Sequence, residues 1–162
     1  MKLWRIAAET RKYPANDLSG NAAAAHPGRW NEEQQSVVYT ASSLALAVLE
    51  TASHIDDAGL PLNRFVIELA VPDDVWALHQ TLHPQDLSPS WASIPAGRAS
   101  IEAGSAWLRS NQSPILRVPS VIVPEEYAAL INPRHPASAK ITTKVIRVFE
   151  YNKLFRRQYS PR

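Results

Sequence analysis

The chain has 162 residues, of which 45% are hydrophobic and 20% charged, with 17 Lys and Arg against 15 Asp and Glu and no cysteine. These values fit one globular domain with an ordinary core; they exclude disulfides and thiolate metal sites, and a reducing cytoplasm is the compartment expected. No apolar run reaches the roughly 20 residues of a membrane span, and a net charge of +2 leaves no cationic stripe of the kind nucleic-acid surfaces carry.

"LWRIA" opens the chain as a short strand with Leu3 and Ile6 directed to the core, and "MKLWRIAAETRKY" has no signal-peptide core. Residues 10 to 28 are rich in turn formers and read as a long loop, a feature that often carries function. "SVVYTA" is β-branched and aromatic and predicts a strand. Ser42 or Ser43 then caps a helix expected to run to about Asp57, before Gly59-Leu60-Pro61. "RFVIELAV" alternates Phe65, Ile67, Leu69 and Val71 on one face, and Pro72 ends it. Pro84, Pro89 and Pro95 make the following stretch irregular, and "SIEAGSAWLRSN" predicts a second helix that Gly104 should weaken. "SPILRVPSVIVP" reads as a strand broken at Pro119 and "INPRHPASAK" as a turn-rich connection. "KVIRVFEY" closes the fold as a last strand, with Val145 and Val148, or Ile146 and Phe149, facing inward. Strands and two main helices without a βαβ repeat point to an α+β fold. The domain is expected over residues 1–151, followed by a short basic tail at 152–162; its Lys153, Arg156, Arg157 and Arg162 read as solvated.

Four residues invite a chemical reading. Glu50 ends a run of apolar residues from Leu44 to Leu49 and shares a helix face with Leu46, Leu49 and Ser53. Such a helix should be covered on several sides, so Glu50 either borders water or stands at a cleft, held by hydrogen bonds because an unpaired buried charge is too costly. Arg29 follows Gly28, and a guanidinium beside a glycine suits a phosphate as well as it suits plain surface. Tyr39 is either a core tyrosine with a satisfied hydroxyl or a pocket residue. Ser120 interrupts an apolar strand, where it bonds the backbone around Pro119 or presents its hydroxyl to a polar site. No nucleophile elbow, P-loop or dinucleotide fingerprint is present. His79 and His83 stand four apart, but Pro84 follows at once, so no metal site is expected.

Taken together, "LWRI", "LSGNAAAAHPGRWN", "VVYTASSLALAVLE", "ILRVPSVIVP" and "LINPRHPASAKI" resemble the RES domain, named for its Arg, Glu and Ser. This is the toxin half of a class of bacterial type II toxin–antitoxin pairs. Pro27 stands where family loops commonly carry a second glycine. The resemblance implies Arg29, Glu50 and Ser120 as the namesake residues and Tyr39 as a fourth pocket residue. It implies an ADP-ribosyltransferase-like mixed sheet with flanking helices, and NAD as a consumed substrate rather than a cofactor. Cleavage of the nicotinamide–ribose bond by hydrolysis or phosphorolysis, ending in growth arrest, is the expected activity; transfer of ADP-ribose to a protein is the alternative. Glu50 would stabilise the cationic ribose, Arg29 would hold the pyrophosphate or adjoining ribose, Tyr39 would stack on nicotinamide, and Ser120 would position Arg29 or Glu50. The expected partner is an Xre-like DNA-binding antitoxin, with a homodimer possible and no direct nucleic-acid contact. An RNA-cleaving toxin would call for a basic groove and a histidine for proton transfer; a module without catalysis would leave Arg29, Glu50 and Ser120 far apart.

Overall fold

The computed structural model describes residues 1–56 and 58–155. Arg156, Arg157 and Arg162 of the basic tail lie outside the described residues. Strands β1 (Lys2–Ala8), β2 (Val38–Ala41), β3 (Arg64–Ala70), β4 (Gln80–Thr81), β5 (Ile115–Pro119), β6 (Tyr127–Ile131) and β7 (Thr142–Phe149) form one sheet. Its order is β4-β5-β6-β2-β1-β3-β7. The β4–β5 pair is parallel and the other pairs are antiparallel. Helices α1 (Asn21–Ala25), α2 (Leu44–Ala52), α3 (Asp73–Trp76) and α4 (Arg98–Ser110) surround it. The architecture is α+β, as expected.

Side-chain alternation gives the sheet two covered faces. Leu3 and Ala7, Val38, Ile67 and Leu69, Ile115, Ala129 and Ile131 share one cluster on the first face. Their neighbours on the same strands point the other way and divide into two groups. Val37, Leu116, Val118 and Leu130 pack with Trp30, Trp91, Trp107 and Leu108 in one. Ile6, Ala41 and Val66 pack with Leu46 and Ala47 of α2 in the other. The second face is therefore split, with α4 beside the tryptophans and α2 on the far side of the gap. β3 is buried on both faces, Val66 as fully as Ile67 and Leu69, which the single-face alternation expected for it did not anticipate.

Several expectations are corrected. The segment 10–28 contains α1, and Gly20 before it adopts φ +71°, packed where a Cβ would lie 2.6 Å from the Val37 backbone nitrogen. Helix α2 is capped by Ser43, whose side chain accepts from Leu46 N–H, and ends at Ala52 rather than near Asp57, which itself lies outside the described residues. Hydroxyls explain the early stop: Thr51 donates back to the Ala47 and Val48 carbonyls, and Ser53 Oγ to the Glu50 carbonyl. Leu46 and Ala47 of α2 are buried and Leu44, Val48, Glu50, Thr51 and Ala52 half-buried, so the helix is covered on most sides, with Ala45 and Leu49 along its open stripe. β6 occupies residues for which the sequence predicted no element, Ile131 apart, its Ala128, Ala129 and Leu130 buried or half-buried between β5 and β2.

β7 is an edge strand, and Val145, Ile146 and Val148 are 44%, 41% and 57% exposed, so none of them faces a core. The register against β3 slips between Val66 and Ile67, so Arg147 pairs with Val66, Val145 with Ile67, and Ile146 falls between. A bulge of this kind breaks the period of two along the strand. Phe149 alone is half-covered, edge-on to Tyr151 at 4.9 Å between ring centroids.

Candidate active site

Glu50 stands in the last turn of α2, half-buried at the border between covered and open helix surface. Its Oε1 accepts a hydrogen bond from Ser120 Oγ at 2.5 Å. Ser120 is itself buried, just past the end of β5, and its hydroxyl accepts from the backbone N–H of Ile122 and Val123. Two amide donors thus fix the oxygen, and the one hydroxyl hydrogen is directed at the carboxylate. Both options open in the sequence hold for Ser120: it organises the backbone after Pro119 and it faces a polar site. Val121 beside it packs on the tryptophan cluster and Val123 on the α2 cluster, so this turn straddles the gap in the second face.

Arg29 reaches the same region from the loop between α1 and β2. Its Nη1 donates to the carbonyls of Trp91 at 3.0 Å and Ser93 at 2.8 Å. Among the described residues, Nε and Nη2 make no hydrogen bond, which leaves one edge of the guanidinium fork available for a bidentate oxyanion. Partial burial lowers the Arg29 pKa from its usual value, opposed by the charge of Glu50 and, after it, by Tyr39. An arginine in that position stays protonated at neutral pH.

Tyr39 proves to be a brace. Its hydroxyl accepts from Trp30 N–H at 3.0 Å and donates to Asn31 Oδ1 at 2.7 Å. Gly28 is required beside it, since a Cβ there would lie 2.7 Å from the Tyr39 hydroxyl and ring carbon. Burial raises the Tyr39 pKa above the ordinary tyrosine range, against smaller opposing effects of the Trp30 N–H and Arg29. An unfolded tyrosine ionises first, so its contribution to stability is lost as pH rises past about 10. Spectrophotometric titration at about pH 11 should show fewer phenols ionised in the folded protein than in the unfolded chain, with the difference smaller by one phenol in Tyr39→Phe.

Asn31 passed unnoticed in the sequence, as one asparagine in a turn-rich stretch. It is fully buried, and besides Gly28 N–H and the Tyr39 hydroxyl on its oxygen, its Nδ2 serves the carbonyls of Ala23, Glu32 and Gln35. Losing such an amide leaves buried partners unsatisfied at about 1–3 kcal/mol each. α4 holds the same loop from the other side: Gly104 lets the Trp30 carbonyl approach, and Ser105 Oγ donates to Gln35 Oε1 at 2.7 Å.

The structure thus joins Ser120 and Glu50 by a direct bond, ties Tyr39 to the loop that carries Arg29, and anchors Arg29 on the Trp91 and Ser93 carbonyls. His79 stacks on Trp76 and His83 bonds the Tyr127 hydroxyl, so the two histidines serve different partners. Among the described residues, no group of three or more His, Asp or Glu could hold a metal ion, and no helix is long and apolar enough to cross a membrane. A depression lined by Gln34, Gln35, Ser36, Leu108, Arg109, Asn132 and Arg134 opens where β2 begins and β6 ends, the opposite end of those strands from Ser120.

Comparison with known proteins adds independent findings. The RES domain family model matches residues 2–152. A "Prs ADP-ribosylating toxin" of Sphingobium sp. (strain YBL2) is 49% identical over 149 residues, 92% of this chain and 92% of that protein. A "Toxin Res" of Yersinia enterocolitica serotype O:8 / biotype 1B (strain NCTC 13174 / 8081) is 38% identical over 135 residues, 83% of this chain and 86% of that protein. A chain from the crystal structure of the M. tuberculosis MbcT-MbcA toxin-antitoxin complex superposes with a TM-score of 0.65, covering 90% of this chain and 84% of its own at 15% identity. At that identity the likeness is one of fold.

Proposed function

Because the chain belongs to the RES domain family, we propose that it is a toxin that consumes NAD by breaking the nicotinamide–ribose bond. The observation that carries this reading is the Ser120–Glu50 hydrogen bond, at a turn whose Val121 packs on the same cluster as Trp91, the residue whose carbonyl holds Arg29. As the bond between ribose C1′ and nicotinamide nitrogen breaks, its electron pair leaves with a neutral nicotinamide and the ribose becomes cationic. No acid is needed for that departure. A carboxylate held by Ser120 stabilises the cation without reorganising, and Arg29, with its free edge, holds a phosphate of the dinucleotide. The acceptor then bonds to C1′ and releases its proton.

Water and phosphate are acceptors that this arrangement serves; a protein side chain is a second reading, favoured by the 49% identical relative named as an ADP-ribosylating toxin. NAD labelled in its adenylate half separates them. Free ADP-ribose marks hydrolysis, a phosphorylated ADP-ribose appearing only with phosphate marks phosphorolysis, and label retained on protein in a lysate marks transfer. No NAD loss under any of the three conditions removes the proposal. Arg29→Ala should raise KM for NAD about tenfold to a hundredfold, the worth of a hydrogen-bonded charge; an unchanged KM removes the phosphate-holding role. The toxin–antitoxin complex among the fold relatives supports an antitoxin partner for this chain, which we place in the Xre-like DNA-binding class, with the toxin acting in the cytoplasm.

A further inference from the structure

We infer that Asn31 is a positioning residue for Arg29, fixing the backbone on which the guanidinium stands. The loop from Gly28 to Ser36 has no helix or strand of its own, so no ladder of backbone bonds sets its shape. Asn31 supplies that ladder from a side chain. Gly28 N–H, just before Arg29, bonds Asn31 Oδ1 at 2.9 Å. Trp30 N–H, just after Arg29, bonds the Tyr39 hydroxyl, which itself bonds the same Oδ1. The amides on both sides of Arg29 therefore end on one oxygen, directly or through one intermediary. The other end of the amide ties α1 and the later loop to this point, through Ala23 at 2.9 Å, Glu32 at 3.0 Å and Gln35 at 3.1 Å.

Only an amide of this length suits the place. Aspartate has no donor for the three carbonyls, glutamine is longer by a methylene, and an apolar residue serves neither end. Complete burial keeps water from substituting for either. Arg29 is aimed at the Trp91 and Ser93 carbonyls from a backbone held on both sides by Asn31 and Tyr39, so a shift of the loop moves the guanidinium with it.

Two readouts test this in the full chain, and only the second rests on the NAD reading. In Asn31→Ala, the amides of Gly28 and Trp30 should exchange with deuterium at least about tenfold faster while those of β1 and β3 keep their rates. With NAD, Asn31→Ala should raise KM about tenfold with kcat within about twofold, and should raise it no further once Arg29 is already alanine. Tyr39→Phe keeps the ring and deletes one hydroxyl; it should show the same pattern more weakly, and it stands in if Asn31→Ala does not fold. Unchanged exchange at Gly28 and Trp30 overturns the assignment, as does a KM effect that persists undiminished in the Arg29→Ala protein. If Arg29→Ala itself leaves KM unchanged, the phosphate-holding role of Arg29 fails and the exchange rates alone decide on Asn31; if no NAD is lost under any condition, the NAD reading fails and the exchange rates again decide alone.

Discussion

Glu50→Gln should lower the rate constant for NAD cleavage about 100-fold to 1,000-fold while KM stays within about threefold. The substitution keeps the shape of the side chain and an oxygen that still accepts from Ser120 Oγ, so the fold and the binding surface are preserved. What it removes is a negative charge facing a ribose that becomes positive in the transition state. That interaction strengthens only as the bond breaks, so its loss falls on kcat. The carboxylate is half-exposed, and solvent weakens its field relative to a fully enclosed site; the lower end of the range is accordingly the better estimate. Initial rates on the purified protein check it, and a loss below about threefold would mean that the charge takes no part.

A large loss of stability should come from Gly104→Ala. In an exposed helix this change stabilises by about 1 kcal/mol, because alanine restricts the unfolded chain and glycine does not. Here the sign reverses. The added carbon would lie 1.9 Å from the Trp30 carbonyl oxygen and 2.7 Å from its carbon, backbone atoms that cannot rotate away. Either α4 or the Arg29 loop must retreat, opening the stack between Trp30 and Trp91, whose ring centroids are 6.1 Å apart. A net loss of about 2–3 kcal/mol follows, which lowers the melting temperature by about 5–10 °C in a chain of this size. Thermal unfolding measures it; a melting temperature equal to or above that of the unsubstituted protein would contradict the close approach.

Gly104 also shows what could and could not be read from residues alone. Its place in a helix was legible and its propensity cost was legible, but the reason for that cost lies in a loop some seventy positions earlier. β1, β3, α4 and β5 were read close to their observed ends because their hydrophobic period is strong. β6 was missed because "YAALI" is short and two of its five residues are alanines, so pairing on both sides rather than composition makes it a strand. α2 was overextended because Thr51 and Ser53 look like acceptable helix residues until their hydroxyls are seen bonding backwards. Glu50, Arg29 and Ser120 entered mainly through the family resemblance, since nothing in their separate surroundings ties one to another. The buried amide at Asn31 left no trace in the sequence: five partners spread over seventeen residues carry no periodic pattern.

The outermost strand, β7, offers a bare row of peptide groups along eight residues, with valines and an isoleucine among its open side chains. Such a rim is a template on which another copy could grow the sheet without limit. Lys144 and Arg147 interrupt it, and antiparallel self-pairing centred between Val145 and Ile146 would set each lysine opposite an arginine. Like charges facing one another across two strands repel. In that register the cations act as stops against growth of the sheet through the edge that the described residues leave open.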